Sequence, residues 1–400
     1  MLSASPAPSA RASANPLQVQ SGDDVIHISV RHGLFVSQTT IVIDPAPALD
    51  EFGARPLEPA HVGIIFNEDR DTIVAHSDPA MSSVLHVLDR HWHGIRSATA
   101  CLPGGKLGIS HKNGLTREET RFVDRLIRER DYQVVCFQGY SKTVDSLVEH
   151  LHGEFGSDLR LYVVTHVTTS QFEHHFEIAM LDRIHDRVAS GIVARTGSVK
   201  PNFHLFHEKT WPQCVVNIPP DLSRLIVALP KREPGNIFIP VENTWRKNLY
   251  TQVIAAQTSE KVRRICLVNW PTDLERLMII DKAQLVGFQP LPGLLAYMRL
   301  AQIVANVSFS ECQPMTQLEA LAVGTPAIVG PIRLPVFSNH PLSELCEFAE
   351  LDDPGLLRRR FDMVLDEWSR DPMGLSEMIS DFVKLRTAAG LASYREFLEL

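Results

Sequence analysis

The sequence predicts an α/β protein made of two Rossmann-like layers, and three observations carry that expectation. Short apolar runs alternate with segments of helical periodicity along most of the chain, the pattern of parallel strands joined by crossover helices. The alternation occurs twice, and between its halves Pro219-Pro220 ends regular structure. The chain of 400 residues is too long for one ordinary hydrophobic core and long enough for two.

Hydrophobic residues make up 44% of the chain and charged residues 22%, the balance of a soluble globular protein rather than a disordered one. With a net charge of −8 and scattered Lys and Arg, the chain offers no polyanion-binding surface, so nucleic acid is not an expected partner. Its cysteines, Cys101, Cys136, Cys214, Cys266, Cys312 and Cys346, stand singly, mostly among apolar neighbours. Such spacing predicts reduced core thiols in a cytoplasmic protein. No apolar run approaches the ~20 residues of a membrane-spanning helix, which leaves at most a peripheral membrane contact. Oligomerisation stays open.

Residues 1–20, rich in Ser, Ala and Pro and free of acids, predict a flexible arm, and 21–225 the first layer. Apolar alternation predicts strands at 25–30, 40–43 and 61–66. Thr116 and Glu119 frame a capping box, followed by Phe122, Val123, Leu126 and Ile127 at helical spacing. A strand over 132–137, a helix over 143–151 and a strand over 159–165 continue the alternation. A long helix is predicted over 171–187, then strands at 191–195 and 213–217. No G-x-G-x-x-G opens this layer, so it lacks a dinucleotide fingerprint.

The interdomain link is expected within 217–234, and residues 226–375 repeat the pattern. Strands are predicted at 236–240, 264–268, 284–287 and 303–308, with helices at about 246–256 and at 291–300. Further helices are expected around 356–368 and 375–385.

Residues 308–330 read SFSECQPMTQLEALAVGTPAIVG. Glu311 and Glu319 are eight positions apart, a little over two turns at ~3.6 residues per turn, so both carboxylates can face one side of a helix that starts just after Glu311. Gly324 is placed to end that helix in the left-handed conformation, and Thr325-Pro326 leads out toward a strand at 327–329. Unpaired N–H groups and the positive dipole end at the helix start suit a phosphate. On spacing alone, an amphipathic helix with solvated Glu at both ends fits equally.

Ser310-Glu311, three turn residues, Met315-Thr316-Gln317 and then Leu-Glu-Ala-Leu-Ala-Val-Gly-Thr-Pro resemble the E-x7-E donor-site signature of retaining GT-B glycosyltransferases of the family-4 type. The resemblance implies two Rossmann-like domains facing a central cleft, with a terminal helix at 376–400 that crosses back onto the first domain. It implies a nucleoside diphosphate sugar as donor substrate, no other cofactor, no metal, and hexosyl transfer with retention to an unidentified acceptor.

Carried over, Glu311 contacts hydroxyls of the transferred sugar and Glu319 holds the ribose. Cys312, Gln313, Pro314, Met315 and Thr316 match the turn whose backbone N–H groups touch sugar and diphosphate. Family members usually have Gly where this chain has Cys312 and Pro314, and Pro lacks a donor. Lys247 matches the cation that offsets the leaving diphosphate. The family's Arg five residues earlier is replaced by Glu242, and Arg246 is the candidate substitute. His166 resembles the His that reaches the reacting sugar from the first domain. Gly287 and Phe288 fall where a loop packs on the nucleobase.

Blander readings accompany each. Arg246-Lys247 also fits a solvated helix start, a lone His at a strand end is commonly satisfied locally, and Gly287-Phe288 fits core packing. Asp69 and Asp71 form a D-x-D that recurs in ordinary loops, and His86, His91 and His93 lack the partners of a zinc site and read as surface histidines. Two other functions remain: a nucleotide-sugar epimerase of the same architecture, or a sugar-nucleotide-binding scaffold without turnover. The missing Arg and the Cys312 and Pro314 departures motivate the latter.

Overall fold

A computed structural model describes residues 74–400 except 111, 113, 202, 204–211 and 225–229, together with the backbone of five short strands between 17 and 67. β1 (Leu17–Gly22), β2 (Val25–His32) and β3 (Phe35–Val42) form an antiparallel sheet of their own. Gly22 pairs with Val25 and His32 with Phe35, so two residues separate successive strands. Links that short join antiparallel strands, whereas a parallel crossover needs a dozen or more residues. The first predicted strands therefore do not open the parallel layer, and residues 17–20 belong to a strand rather than to a flexible arm. Residues 1–16 and the pair Asp69, Asp71 lie outside the described residues.

β4 (Arg55–Pro56) and β5 (Ile65–Asn67) edge an eight-stranded sheet. Its other strands are all parallel: β6 (Val84–Asp89), β7 (Gly105–Ile109), β8 (Val134–Gln138), β9 (Arg160–Thr165), β10 (Arg195–Ser198) and β11 (Gln213–Cys214). The spatial order is β11-β10-β9-β8-β6-β7-β5-β4. Crossover helices α1 (His93–Ala100), α2 (Arg117–Glu129), α3 (Lys142–Phe155) and α4 (His175–Ala189) connect them. The capping box at the head of α2 forms as read: Glu119 N donates to Thr116 Oγ1 and Thr116 N to the Glu119 carboxylate, at 3.2 and 2.7 Å. Val123, Leu126 and Ile127 then bury one face of that helix against the sheet.

The helix expected over 171–187 is broken. Thr168 caps a 3-10 turn, Thr169–Glu173, and His174 is extended before α4 begins. Local side-chain capping competes there with helix propagation. The strand expected at 191–195 is instead the stop of α4. Gly191, at φ +74°, turns the chain so that Ile192 and Val193 donate back to the Arg187 carbonyl.

The second sheet is parallel throughout, with β12 (Asn236–Ile239), β13 (Arg264–Leu267), β14 (Ala283–Leu285), β15 (Ile303–Asn306) and β16 (Ala327–Val329) in the order β14-β13-β12-β15-β16. Its helices are α5 (Leu249–Thr258), α6 (Leu291–Leu300), α7 (Met315–Ala322), α8 (Pro341–Cys346), α9 (Pro354–Arg370) and α10 (Pro372–Leu398). The helix expected from about 246 starts at Leu249, because Asn248 adopts the left-handed conformation after a 3-10 turn, Trp245–Lys247. Gly324, at φ +74°, ends α7 where the sequence places the stop.

α10 spans both halves in its 27 residues. Leu375, Ile379 and Phe382 pack in the core of the second sheet, whereas Tyr394, Phe397 and Leu398 pack under the first with Tyr162 and Val164. Tyr162 donates to Glu399 at 2.9 Å and Arg395 pairs with Asp78 at 2.6 Å. Gly390 is needed where the helix presses on the interdomain link: a Cβ there would lie 2.6 Å from Ile218 Cγ1 and 2.9 Å from the Val216 carbonyl. Cys312, Met315 and Leu318 share that same core with Ala98 of α1 and with Cys101 and Leu102 just after it, so the halves meet on an apolar surface. Among the described residues no helix is long and apolar enough to cross a membrane.

Candidate functional site

In an open parallel sheet the crevice for a ligand lies beyond the carboxyl ends of the strands, where the strand order reverses. In the second sheet β12 is followed on one side by β13 and flanked on the other by β15. The reversal therefore falls between the loop after β12, which holds Trp245, Arg246 and Lys247, and the loop after β15, which holds Glu311.

Gln252 locks these two loops together. Its side-chain amide donates to the Lys247 carbonyl at 2.8 Å and its oxygen accepts from Val307 N at 3.0 Å. Asn248, left-handed, anchors the turn by donating to the Leu351 carbonyl at 2.6 Å. Phe309 N donates to the Arg246 carbonyl at 2.9 Å, and Trp245 stacks on Phe309 with ring centres 6.2 Å apart.

Arg246 Nη1 donates to the Ser310 carbonyl at 2.9 Å and reaches Glu311 Oε1 at 3.4 Å. Lys247 Nζ pairs with the same carboxylate oxygen. From the first half, Lys200 Nζ donates to the Glu311 backbone carbonyl at 2.6 Å. Two cations thus hold the Glu311 carboxylate and a third its backbone carbonyl, a surplus of two positive charges around one residue in a partly buried crevice, where such charge acts strongly on an anion. Nothing in the sequence around Lys200 marks it; only its place just past β10 brings it here.

The turn after Glu311 is packed into the first half. Cys312 Sγ donates to the Val167 carbonyl at 3.3 Å, and burial pushes its thiol up to about 12. Gln313 uses all four of its hydrogen-bonding positions: Nε2 donates to the Val199 and Val215 carbonyls at 2.6 and 2.8 Å, and Oε1 accepts from Asn217 N at 2.8 Å and from Arg386 at 2.5 Å. Arg386, fully buried on α10, also donates to the Asn217 carbonyl at 3.0 Å, and burial lowers its pKa to about 9. The Gln313 side chain is therefore a strut between the motif, the link and α10. Pro314 is the N-cap of α7 without a side-chain cap, Met315 is buried, and Thr316 keeps some exposure.

Glu319 has a different setting from Glu311. It is buried between α7 and α1, hydrogen-bonded to Ser97, and desolvation raises its pKa to about 7. The structure thus turns the two carboxylates of the motif to separate partners, Glu311 to the cations of its own sheet and Glu319 to the first half.

His166 stands at the end of β9, next to the Val167 carbonyl that binds Cys312, so the motif turn and this strand end are neighbours. Its Nε2 lies 2.9 Å from Gln138 Oε1, and burial lowers its pKa to about 3. Gly287, at φ +73°, has open space around it, and Phe288 is 71% exposed with its ring 5.6 Å from that of His93 on α1. Of the other histidines, His86 is not at the surface as expected: it is fully buried, 3.0 Å from the Pro103 carbonyl. His91 lies 3.2 Å from Ser110. Among the described residues no group of His, Cys, Asp and Glu is arranged to hold a metal.

No protein-family model matches the sequence, and no curated protein matches it. The likeness is to solved structures. A sucrose-phosphate synthase from Thermosynechococcus elongatus superposes with a TM-score of 0.53 at 14% identity, covering 79% of this chain and all of that one. The Anabaena protein HepE in complex with UDP-glucose gives a TM-score of 0.50 at 12% identity over 79% of this chain and 98% of that one. An alpha-glucosyltransferase in complex with UDP-glucose and DNA containing an abasic site gives 0.50 at 11%, over 76% and 95%. The fold is GT-B: two α/β halves with mostly parallel sheets, joined and then strapped together by the terminal helix.

Proposed function

We propose that the protein is a retaining glycosyltransferase that moves a hexosyl unit from a nucleoside diphosphate sugar to an acceptor hydroxyl. The observation that carries this reading is the set of Arg246, Lys247 and Lys200 around Glu311 at the strand-order reversal of the second sheet. A diphosphate bound there meets the positive surplus, and as the bond from the anomeric carbon to the diphosphate breaks, charge gathers on the departing oxygen beside Lys247 and Arg246. No metal is required for that compensation. The acceptor oxygen bonds to the anomeric carbon on the same face, and its proton passes to the leaving phosphate oxygen. Glu311, freed from Lys247 by the incoming phosphates, accepts hydrogen bonds from the sugar hydroxyls. Closing the halves excludes water and limits hydrolysis.

UDP-glucose stands in two of the solved structures of similar fold, which makes UDP-sugars the first donors to test. The experiment is calorimetric titration with UDP-, GDP- and ADP-sugars, followed by NMR of products formed with simple glycan acceptors. Binding of one donor class and an α- or β-linked product with the donor's configuration supports the reading. Inversion, or an epimerised free donor, removes it.

One set of observations favours a second reading. Glu319 is sealed against Ser97, and the motif turn is filled by Cys312 and Pro314 and packed on the first half. A chain that has closed its sugar slot is a scaffold on the same fold, and it would bind none of the three donor classes.

A further inference from the structure

We propose that Gln138 is a positioning residue that sets the tautomer of His166, as the last link of a hydrogen-bond chain that begins at the Pro103 carbonyl. Its catalytic meaning rests on the glycosyl-transfer reading; the chain itself does not.

The direction of every hydrogen in the chain follows from its first member. His86 Nε2 lies 3.0 Å from the Pro103 oxygen, which can only accept, so that nitrogen carries the hydrogen. The ring is fully buried in the first sheet, and desolvation, with Lys106 nearby, lowers its pKa to about 3. It is neutral, and its Nδ1 is bare. Nδ1 faces Gln138 Nε2 at 3.3 Å, where only a donor is satisfied, so the amide NH2 sits on that side. The amide oxygen is thereby turned to His166 Nε2 at 2.9 Å. That oxygen accepts, so His166 carries its hydrogen on Nε2 and leaves Nδ1 unprotonated.

Gln138 is 1% exposed and cannot turn its amide over without setting its oxygen against the bare His86 Nδ1, acceptor against acceptor. Tyr394, from the part of α10 that crosses back to the first sheet, holds the same amide. Among the described residues, His166 Nδ1 has no protein partner. A neutral imidazole with a bare Nδ1 accepts a hydrogen bond from a sugar hydroxyl and adds no positive charge beside an oxocarbenium-like ring. The other tautomer would present an N–H there instead.

The test uses the full-length chain labelled with ¹⁵N at histidine. Long-range ¹H–¹⁵N correlation spectra between about pH 5 and pH 8 are expected to show His166 protonated at Nε2 and bare at Nδ1. Gln138→Met keeps the volume and removes the amide. It is expected to leave His166 in mixed tautomers and to lower kcat roughly tenfold or more while donor KM stays within about twofold. Gln138→Glu, kept protonated by burial so that its O–H faces His86 Nδ1, restores an acceptor at the same place, and with it the Nε2–H tautomer and most of kcat. A wild-type His166 protonated at Nδ1, or a folded Gln138→Met variant with unchanged tautomer and unchanged kcat, overturns the proposal. If Gln138→Met does not fold, the wild-type spectrum and the Gln138→Glu variant still decide it. A wild type that turns over no sugar nucleotide defeats the glycosyl-transfer reading, while the spectra decide the tautomer separately.

Discussion

The two halves of the molecule bring opposite chemistry to their meeting surface. The second presents charge: Arg246 and Lys247 gather on Glu311 with the carboxylate 17% exposed. The first presents neutral, buried hydrogen bonds, with His86 and Gln138, and Tyr394 lent by α10, each no more than 1% exposed behind His166. On the glycosyl-transfer reading the difference matches the two ends of a nucleotide sugar. A diphosphate needs compensating charge, which keeps its strength only where water is partly excluded. Sugar hydroxyls beside a reacting carbon need directional acceptors that add no charge of their own. Of the three cations at Glu311, Arg246 and Lys247 come from the second half and Lys200 alone from the first.

The strut between these halves is the most severe place to break the comparison. Arg386 joins α10 to Asn217 in the link and to Gln313 in the motif, and its guanidinium lies 5.0 Å from the Phe337 ring centre. Arg386→Ala removes a fully buried side chain and strands the oxygens it served, a loss of ~3–5 kcal/mol. Urea denaturation is expected to show the drop, and a loss under ~1 kcal/mol would mean that the strut does not hold the halves together.

On the charged side, Lys247→Ala is expected to lower kcat by roughly 10²–10³ and donor affinity by less than about tenfold, because on the proposed mechanism the lysine acts mainly on charge that appears as the diphosphate leaves. Steady-state kinetics with calorimetry separates the two. Equal losses in both would make Lys247 a simple binding cation.

Glu319 tests where the charged side stops. Its pKa is raised from 4.5 to about 7 by burial, so the folded state holds the proton more tightly than the unfolded chain. The sign follows: this stabilising contribution is full below pH 4.5 and is lost as pH rises through about 7. Replacing it by Gln removes the titration and flattens the fall in stability across that window, a difference of up to ~3 kcal/mol at its upper end. Identical pH–stability curves for the wild type and Glu319→Gln would place the carboxylate in water rather than against Ser97.

These features differ in how far the sequence reveals them. The capping box of α2, the stop at Gly324 and the spacing from Glu311 to Glu319 depend on residues within a few turns of one another, and local chemistry decides them. The break at His174 is local too, but there two local preferences compete, and Thr168 capping prevails over the apolar stripe. The strut is of another kind. Gln313 and Arg386 are 73 residues apart and Gln313 and Asn217 are 96 apart, so no pattern in the chain announces that a motif glutamine is structural. The burial of Glu319 is set by α1, more than 200 positions upstream, and Lys200 joins Glu311 by the same long-range geometry. At the start of the chain apolar alternation marks the strands but not their direction, which is set by link length.

The smallest expected effect lies at the rim, where the halves exchange an aromatic contact. Phe288 is held out by Gly287 in the left-handed region and rests against His93 while remaining mostly exposed. An exposed ring on a loop contributes little to the fold, so Phe288→Ala is expected to change stability by less than ~0.5 kcal/mol. If the ring packs on the nucleobase, the same change removes a face-to-face contact of ~1 kcal/mol and weakens donor binding about fivefold. The loss is expected to be similar for purine and pyrimidine donors, since stacking on a ring face reads no base edge. Calorimetry on UDP- and GDP-sugars measures it. Unchanged affinity for every donor, with His93 equally dispensable, would make the contact a rim seal between the halves and move the base to a different part of the cleft.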